Sequence, residues 1–260
     1  MTVVTATRST QTIGLILAVS HPDGDSVEVL SLFVALEHRR QGLGLTLLTT
    51  LENILANKNC NRLNLVYQTN WPDIAAIEGL LQKSGWSLPQ THMLLCKTTA
   101  TQISKAPWLQ KTYNLPNPLT IFPWANLTLV ERQTLQHQQA KPWFPPILTP
   151  FQEEDKVEWL NSLGLRTQHQ IVGWMITHRL KPDTIQYSAL FVRPPYQNLG
   201  AGTFLLVEAI RRQFVADIPK GVFMINIKDK AMLTFMQRRL QPYLTALAES
   251  RQVSKQLQHP

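Results

Sequence analysis

Two glycine-bearing loops carry the most readable chemistry in this chain. Residues Phe191 to Gly202 read Phe-Val-Arg-Pro-Pro-Tyr-Gln-Asn-Leu-Gly-Ala-Gly: an apolar run stops at a proline pair, and Gln-x-x-Gly-x-Gly leads into a helical pattern. Residues Phe33 to Gly44 read Phe-Val-Ala-Leu-Glu-His-Arg-Arg-Gln-Gly-Leu-Gly, with Arg-x-x-Gly-x-Gly before a helix. Such a loop aims several backbone N–H groups at one place, with the positive end of a helix behind them. Glycine removes the Cβ atoms that would hold an anion away. The chemistry on offer is the holding of a phosphate. Either loop alone reads equally as a tight turn, since a lone Gly-x-Gly is a weak motif. Their spacing says more. Gly42 and Gly200, Gly44 and Gly202, and Val34 and Val192 are each 158 residues apart, which marks an internal repeat.

A chain of 260 residues accommodates two domains of about 130 residues each, and the repeat favours that division. Apolar residues make up 44% of it, with no uninterrupted apolar run of about 18 residues, so no membrane span is expected. The start, Met-Thr-Val-Val-Thr-Ala-Thr-Arg, lacks the pattern of a signal peptide, and a cytoplasmic protein is expected. Cys60 and Cys96 have no companion ligands at metal spacing, so they read as reduced structural thiols and no metal is expected. The net charge of +8 suits an anionic ligand or partner. The cations are scattered in short clusters (Arg39-Arg40, Arg211-Arg212, Lys228 to Lys230, Arg238-Arg239) without a nucleic-acid-binding signature. Nucleic acid is therefore not the expected partner.

The loops need elements to position them. Thr2 to Thr7 and Thr12 to Ala18 read as a hairpin, His21 to Asp25 as a turn, and Val27 to Val34 as the strand entering the first loop. Leu47, Leu48, Leu51, Ile54 and Leu55 share one helical face; Leu63, Leu65 and Tyr67 mark a strand. A second helix is expected from Trp71 to Ser84, and a short strand over Met93 to Lys97. Thr98 to Asn126 reads as a packed linker in which Thr120-Ile121-Phe122 opens a new sheet. Asn126 is expected to cap a helix from Leu127 to Gln138, and Gln152 to Leu160 to form a short helix. The second half then repeats the first: a hairpin of Leu163 to Gln168 with Ile171 to Arg179, a strand Thr184 to Val192, a helix Gly200 to Ala216, a strand Val222 to Ile227 and a helix Ala231 to Leu240. The polar tail after Leu247 reads either as disordered or as one last strand.

Hairpin, strand, Arg/Gln-x-x-Gly-x-Gly, helix, strand, helix resembles the GNAT (Gcn5-related N-acetyltransferase) superfamily, and it does so in both halves. The resemblance is most specific at Val34 with Arg39, Gly42 and Gly44, and at Val192 with Gln197, Gly200 and Gly202. It implies an α/β fold of two tandem GNAT-like domains, each a mixed, mostly antiparallel twisted sheet flanked by helices. The first would lack the N-terminal strand and helices. The implied division is 1–100, a linker 101–119, and a complete domain 120–260.

The resemblance also implies a function: acyl-CoA-dependent transfer, most simply of acetyl from acetyl-CoA, to an amine of a small molecule or protein. The donor would sit in the C-terminal half, and the two halves would pair within a monomer. The pyrophosphate would lie on the N–H groups of Gln197, Asn198, Leu199, Gly200, Ala201 and Gly202, with Leu190, Phe191 and Val192 pairing with the pantetheine arm. Val34, Arg39, Arg40, Gln41, Gly42, Leu43 and Gly44 form the corresponding set in the first half.

Acyl transfer to an amine needs a base, donors for the oxyanion, and a proton for the leaving thiolate. In the histone-acetyltransferase branch of the family a glutamate eleven residues before the Arg/Gln is the base. That position is Glu28 in the first half and Gln186 in the second. The family tyrosine acid falls on Leu81 and near Met236. Tyr187 and His178 are the titratable substitutes in the second half, although Tyr187 also reads as a packed strand tyrosine, His178 as a solvated strand end and Glu28 as a solvent-face residue. The alternative function is a catalytically degenerate GNAT-fold protein that senses CoA or serves as a protein-interaction scaffold.

Overall fold

Alternating β-branched and apolar residues at the N-terminus form strands β1 (Thr2–Arg8) and β2 (Gln11–Ser20), paired antiparallel. The computed structural model describes residues 1–20, 26–137, 143–168 and 170–258, so the turn expected at His21 to Asp25 lies outside the described residues. The chain divides into two units, Met1–Leu94 with Ala248–Pro260, and Leu95–Leu247.

In the first unit β3 (Ser26–Val34) is antiparallel to β2, α1 (Leu43–Ala56) crosses over, and β4 (Arg62–Gln68) returns parallel to β3. Next comes α2 (Ile74–Lys83), and then β5 (Gln90–Thr99), which begins in this unit and ends in the other. Leu47, Leu48, Leu51 and Leu55 of α1 pack on Ile16, Val27, Val29, Leu63 and Leu65. Each such buried side chain contributes about 2 kcal/mol, which is why the helical spacing of the leucines fixes the face that α1 presents to the sheet. Strand β3 carries a bulge: Leu17 pairs with Ser31 and Ala18 with Val29, leaving Leu30 as the extra residue. The extra residue exchanges the two faces of the strand. Val27 and Val29 face the core before it, Leu32 and Val34 after it, while Leu30 and Phe33 remain about half exposed. The β3–β4 ladder stops at the pair Val29–Leu65, so the strands part at the bulge.

The second unit opens with the short α3 (Ala100–Ile103) and two-stranded pairing of β6 (Thr120–Pro123) with β7 (Leu163–Arg166). Between those strands lies α4 (Leu129–His137). Its start is a capping box: Glu131 N–H donates to Thr128 Oγ1 at 3.2 Å, and Thr128 N–H to Glu131 Oε2 at 2.9 Å. The cap is thus Thr128 and not Asn126, because only Thr128 has a carboxylate three residues on. The helix expected over Gln152 to Leu160 is a single turn, Glu154–Lys156, since Val157 bridges to His178 in the sheet.

Strands β8 (Ile171–Lys181) and β9 (Thr184–Val192), the short α5 (Pro194–Gln197), α6 (Ala201–Val215), β10 (Lys220–Asn226) and α7 (Lys230–Phe235) follow. Sheet order in this unit is β6-β7-β8-β9-β10. Gly164 is dictated by the close approach of Phe122, whose Cζ would lie 2.2 Å from an added Cβ. Trp174, Phe144 and Phe191 pack as a cluster, with Phe144 edge-on to Trp174 at 4.9 Å. Strand β9 repeats the bulge of β3. Ile176 pairs with Ala189 and Thr177 with Tyr187, which leaves Ser188 extra, and the parallel ladder with β10 stops at Tyr187–Phe223. Both bulges and both ladder ends are 158 residues apart, the offset of the glycines.

The tail after Leu247 forms a strand. β11 (Ala246–Gln256) pairs antiparallel with β4 and completes the sheet of the first unit. Lys255 anchors it, with Nζ 2.7 Å from Glu52 Oε2 on α1 and 2.6 Å from the Ser84 carbonyl, while Trp86 Nε1 donates to the other Glu52 oxygen at 3.0 Å.

Candidate functional site

The first loop is shaped by its own side chains. After Val34 one 3-10 turn, Leu36–His38, lowers the chain; Gly42 then adopts φ +82° as the cap of α1. Only glycine enters that region without cost. Arg39 closes the loop, its Nε donating to the Val34 carbonyl at 2.9 Å and its Nη1 to Asp73 Oδ2, just before α2, at 2.7 Å. The first amide of α1 to bond back is Thr46, to the Gly42 carbonyl at 3.0 Å. The amides of Leu43, Gly44 and Leu45 precede it and point outward from the helix end. The first turn holds no acidic residue, so nothing on the helix offsets its positive end.

These groups face a cleft of about 410 Å³ between the end of β3, the loop and α2, within the range typical of small-molecule sites. Phe33 and Leu80 supply apolar wall; Arg40 and Lys83 supply charge. Val34, Arg39, Gly42, Leu43 and Gly44 line it as well, whereas the Gln41 side chain turns back onto the Glu37 carbonyl. A Cβ at Gly44 would meet Leu80 Cδ2 at 3.6 Å and Val34 Cγ2 at 3.9 Å. That is ordinary contact, so packing within the chain does not demand glycine there. The space in front of the helix end suits a ligand that comes close to the backbone, and the diphosphate of a CoA thioester fits the donor set.

Sequence reasoning missed the α2 side of this cleft. Asp73 and Lys83 reach the cleft only through the placement of α2, and no local pattern announces that placement.

The second loop has the same backbone with less charge. Gln197 Nε2 donates to the Val192 carbonyl at 2.7 Å, and Gly200 caps α6 at φ +74°. Phe204 is the first amide to bond back, at 3.0 Å, which leaves Ala201, Gly202 and Thr203 ahead of it. A Cβ at Gly202 would meet Val192 Cγ2 at 3.8 Å. Asn198 and Leu199 are exposed and Ala201 is buried. Leu190 lies on β9, and Phe191 is buried in the aromatic cluster. Arg193, the cation of this loop, lies over Trp143 at 5.0 Å and bonds Gln170 at 3.2 Å.

Glu28 sits partly buried on β3, on the face opposite Val27 and Val29, one residue before the ladder with β4 ends. Gln186 takes the same place on β9. Tyr187 is on the other face of that strand, toward α6. Its hydroxyl is buried and donates to Gln213 Oε1 at 2.5 Å, and burial pushes the phenol well above its usual value. Gln213 in turn donates to the Ile218 and Lys220 carbonyls at 2.8 and 3.2 Å, so the tyrosine ties β9 to the turn after α6. His178 is buried, not solvated: Nε2 contacts the Gln152 carbonyl at 3.0 Å and Nδ1 the Ser188 hydroxyl at 2.5 Å. The strand end expected to be open is covered by the segment around Gln152. Among the described residues no group of three or more His, Cys, Asp or Glu could hold a metal ion, and no helix is long and apolar enough to cross a membrane. Both cysteines are buried and free; burial pushes the Cys96 thiol up to about 12.

Residues 1–80 match the model of the acetyltransferase (GNAT) family. No curated protein matches the chain. Among solved structures, a tandem GNAT protein from the clavulanic acid biosynthesis pathway is similar with a TM-score of 0.68 at 10% identity, over 98% of this chain and 82% of that one. A GCN5-related N-acetyltransferase from Sphaerobacter thermophilus follows at a TM-score of 0.61 and 13% identity, over 96% and 78%. At these identities the likeness establishes the fold, a tandem GNAT architecture that runs through both units.

Proposed function

From a chain that carries the GNAT fold twice, we propose that it acts as an acyl-CoA-dependent N-acyltransferase, with acetyl-CoA as the simplest donor and an amine of a small molecule or protein as acceptor. The observation that carries this reading is the cleft of the first unit, where the amides ahead of Thr46, Arg40 and Lys83 converge beside the parted strands β3 and β4. The diphosphate rests on the helix end, and the pantetheine arm pairs along β3 beyond Val29, where the backbone has no partner from β4. The charge of Arg39 and Arg40 favours this unit over the second, whose corresponding residues are Gln197 and Asn198.

The amine nitrogen attacks the thioester carbonyl carbon. A C–N bond forms, the C–S bond breaks, and CoA leaves as a thiolate that takes up a proton. Glu28 is the base that receives the proton from the amine, directly or through water. In a second-unit reaction Tyr187 would supply the thiolate's proton only after leaving Gln213. On this reading the protein works in the cytoplasm, as a monomer whose units assist each other.

A second reading, a CoA-binding sensor or scaffold without turnover, is favoured by Gln186 in the place of Glu28 and by the engaged hydroxyl of Tyr187. Thiol release from acetyl-CoA, measured with a panel of amines and peptides, separates the two. The transferase reading expects amine-dependent release that falls about 100-fold or more in Glu28→Gln. CoA binding without amine-dependent release across the panel would leave only the sensor.

A further inference from the structure

The second unit lacks the carboxylate of the first, yet at the same point of the sheet it holds a pair of groups that the first does not. Ser188 is the bulged residue of β9, immediately beyond the last β9–β10 pair, Tyr187–Phe223. Its hydroxyl lies 2.5 Å from His178 Nδ1, with a weaker contact to the Gln186 carbonyl at 3.5 Å. The other ring nitrogen of His178 faces the Gln152 carbonyl at 3.0 Å. A carbonyl only accepts, so Nε2 carries the proton and Nδ1 presents its lone pair to the serine. His178 is 4% exposed, and its ring is held at both nitrogens. In the first unit the corresponding residues are Leu30 and Val19, the latter paired with Glu28 as His178 is with Gln186. The pair is therefore not a consequence of the bulge itself.

A hydroxyl, a base within hydrogen-bond reach and a third group that fixes the base are the parts of an activated nucleophile. We infer that Ser188 and His178 form a nucleophile–base pair that removes the acyl group from a CoA thioester entering the opening between β9 and β10, giving the second unit an acyl-CoA hydrolase activity. Ser188 Oγ attacks the thioester carbonyl carbon while its proton passes to His178 Nδ1. The C–S bond breaks, and the thiolate takes that proton and leaves as CoA. Water, deprotonated by the same nitrogen, then cleaves the acyl-serine ester, releasing the carboxylic acid and restoring Ser188. A bulged residue stands outside the ladder, so the amide of Ser188 is the natural donor to the oxyanion. The inference rests on the donor reading above, extended to the second loop and its cap at Gly200.

The test uses the full chain and acetyl-CoA without any amine. Thiol release is followed over time, and the acid-quenched protein is mapped by peptide mass spectrometry. The expected result is slow, amine-independent release with an acetyl group on Ser188, abolished in Ser188→Ala and reduced about 100-fold or more in His178→Gln. Ser188→Cys guards against misfolding of the alanine variant, because it keeps a nucleophile and accumulates the acetyl group as a thioester. A parallel CoA titration separates the two failures. Absence of CoA binding to the wild-type chain would remove the donor reading itself. Binding with no acetyl on Ser188, or release unchanged in Ser188→Ala, would overturn the hydrolase inference alone, as would residual CoA binding to the Gly44→Glu chain that adding Gly200→Glu leaves untouched.

Discussion

Arg39 and Val34 are joined by a 2.9 Å hydrogen bond from guanidinium Nε to a carbonyl five residues back, and Gln197 closes onto Val192 in the same way at 2.7 Å. Either side chain places one N–H at the reach that this closure needs, so the two loops share a shape. Arginine has donors and a positive charge left over after closing the loop; glutamine has no charge. The two loops therefore differ in the charge they carry and not in how their backbones close.

Exchanging Arg39 for glutamine tests that distinction. Arg39→Gln keeps the closure and loses the charge and the ion pair to Asp73, whose side chains are 35% and 53% exposed. Exposed pairs contribute about 1 kcal/mol or less to folding, so Tm should hardly move. CoA affinity measured by calorimetry should fall about 10-fold, the equivalent of about 1.4 kcal/mol.

Tyr187→Phe should act on stability before it acts on chemistry. It leaves Gln213, 3% exposed, without its hydroxyl donor. An unmade buried hydrogen bond costs about 1–3 kcal/mol. Chemical denaturation should show that loss, with amine-dependent acyl transfer by the first unit unchanged once the protein is folded.

Lys255 holds β11 to α1 through Glu52, with side chains 24% and 10% exposed. Lys255→Met leaves a carboxylate that only Trp86 then supports, and an acceptor left short of a partner costs about 1–3 kcal/mol. Adding Glu52→Gln should recover part of the loss. Equal denaturation midpoints for the single and double variants would show that the carboxylate was not the source.

Acid should weaken the same region by another route. Hydrogen bonds from Arg251 and Thr91 hold the Glu249 carboxyl below its usual value. A carboxyl lowered in the folded state adds stability that is present above the unfolded value, about 4.3. That stability is lost as pH falls through the folded value. The Tm advantage of the wild-type chain over Arg251→Gln should therefore shrink between about pH 6 and about pH 3.

The repeat was legible because the offset that relates Gly42 to Gly200 also relates the parts of the sheet that no motif names: the bulges at Leu30 and Ser188 and the ladder ends at Leu65 and Phe223. Helical and alternating spacing likewise showed Leu47, Leu51 and Leu63 as core. The partners of those elements were not legible. β11 reads as a polar tail because its pairing with β4 is set by residues almost two hundred positions away, and its lysine is held by Glu52 and Ser84. The approach of Asp73 to Arg39 and of Gln152 to His178 depends on how helices and loops cross the sheet. Periodicity gives the face of an element and not its neighbour. Thr128 was readable in principle, since Thr-x-x-Glu is a capping signature, but Asn126 lay nearer the apolar pattern.

Titration of CoA into the full chain and into Gly44→Glu tests the central claim most directly. The added side chain meets only ordinary contacts at its Cβ, and a glutamate in the first turn of α1 suits the helix end, so folding should be intact. Its carboxylate would occupy the place assigned to the diphosphate. The account predicts saturable binding to the wild-type chain and at least a 10-fold weaker affinity in the variant, about 1.4 kcal/mol or more. Equal affinity for both, or no binding to either, would contradict a CoA donor site in the cleft of the first unit.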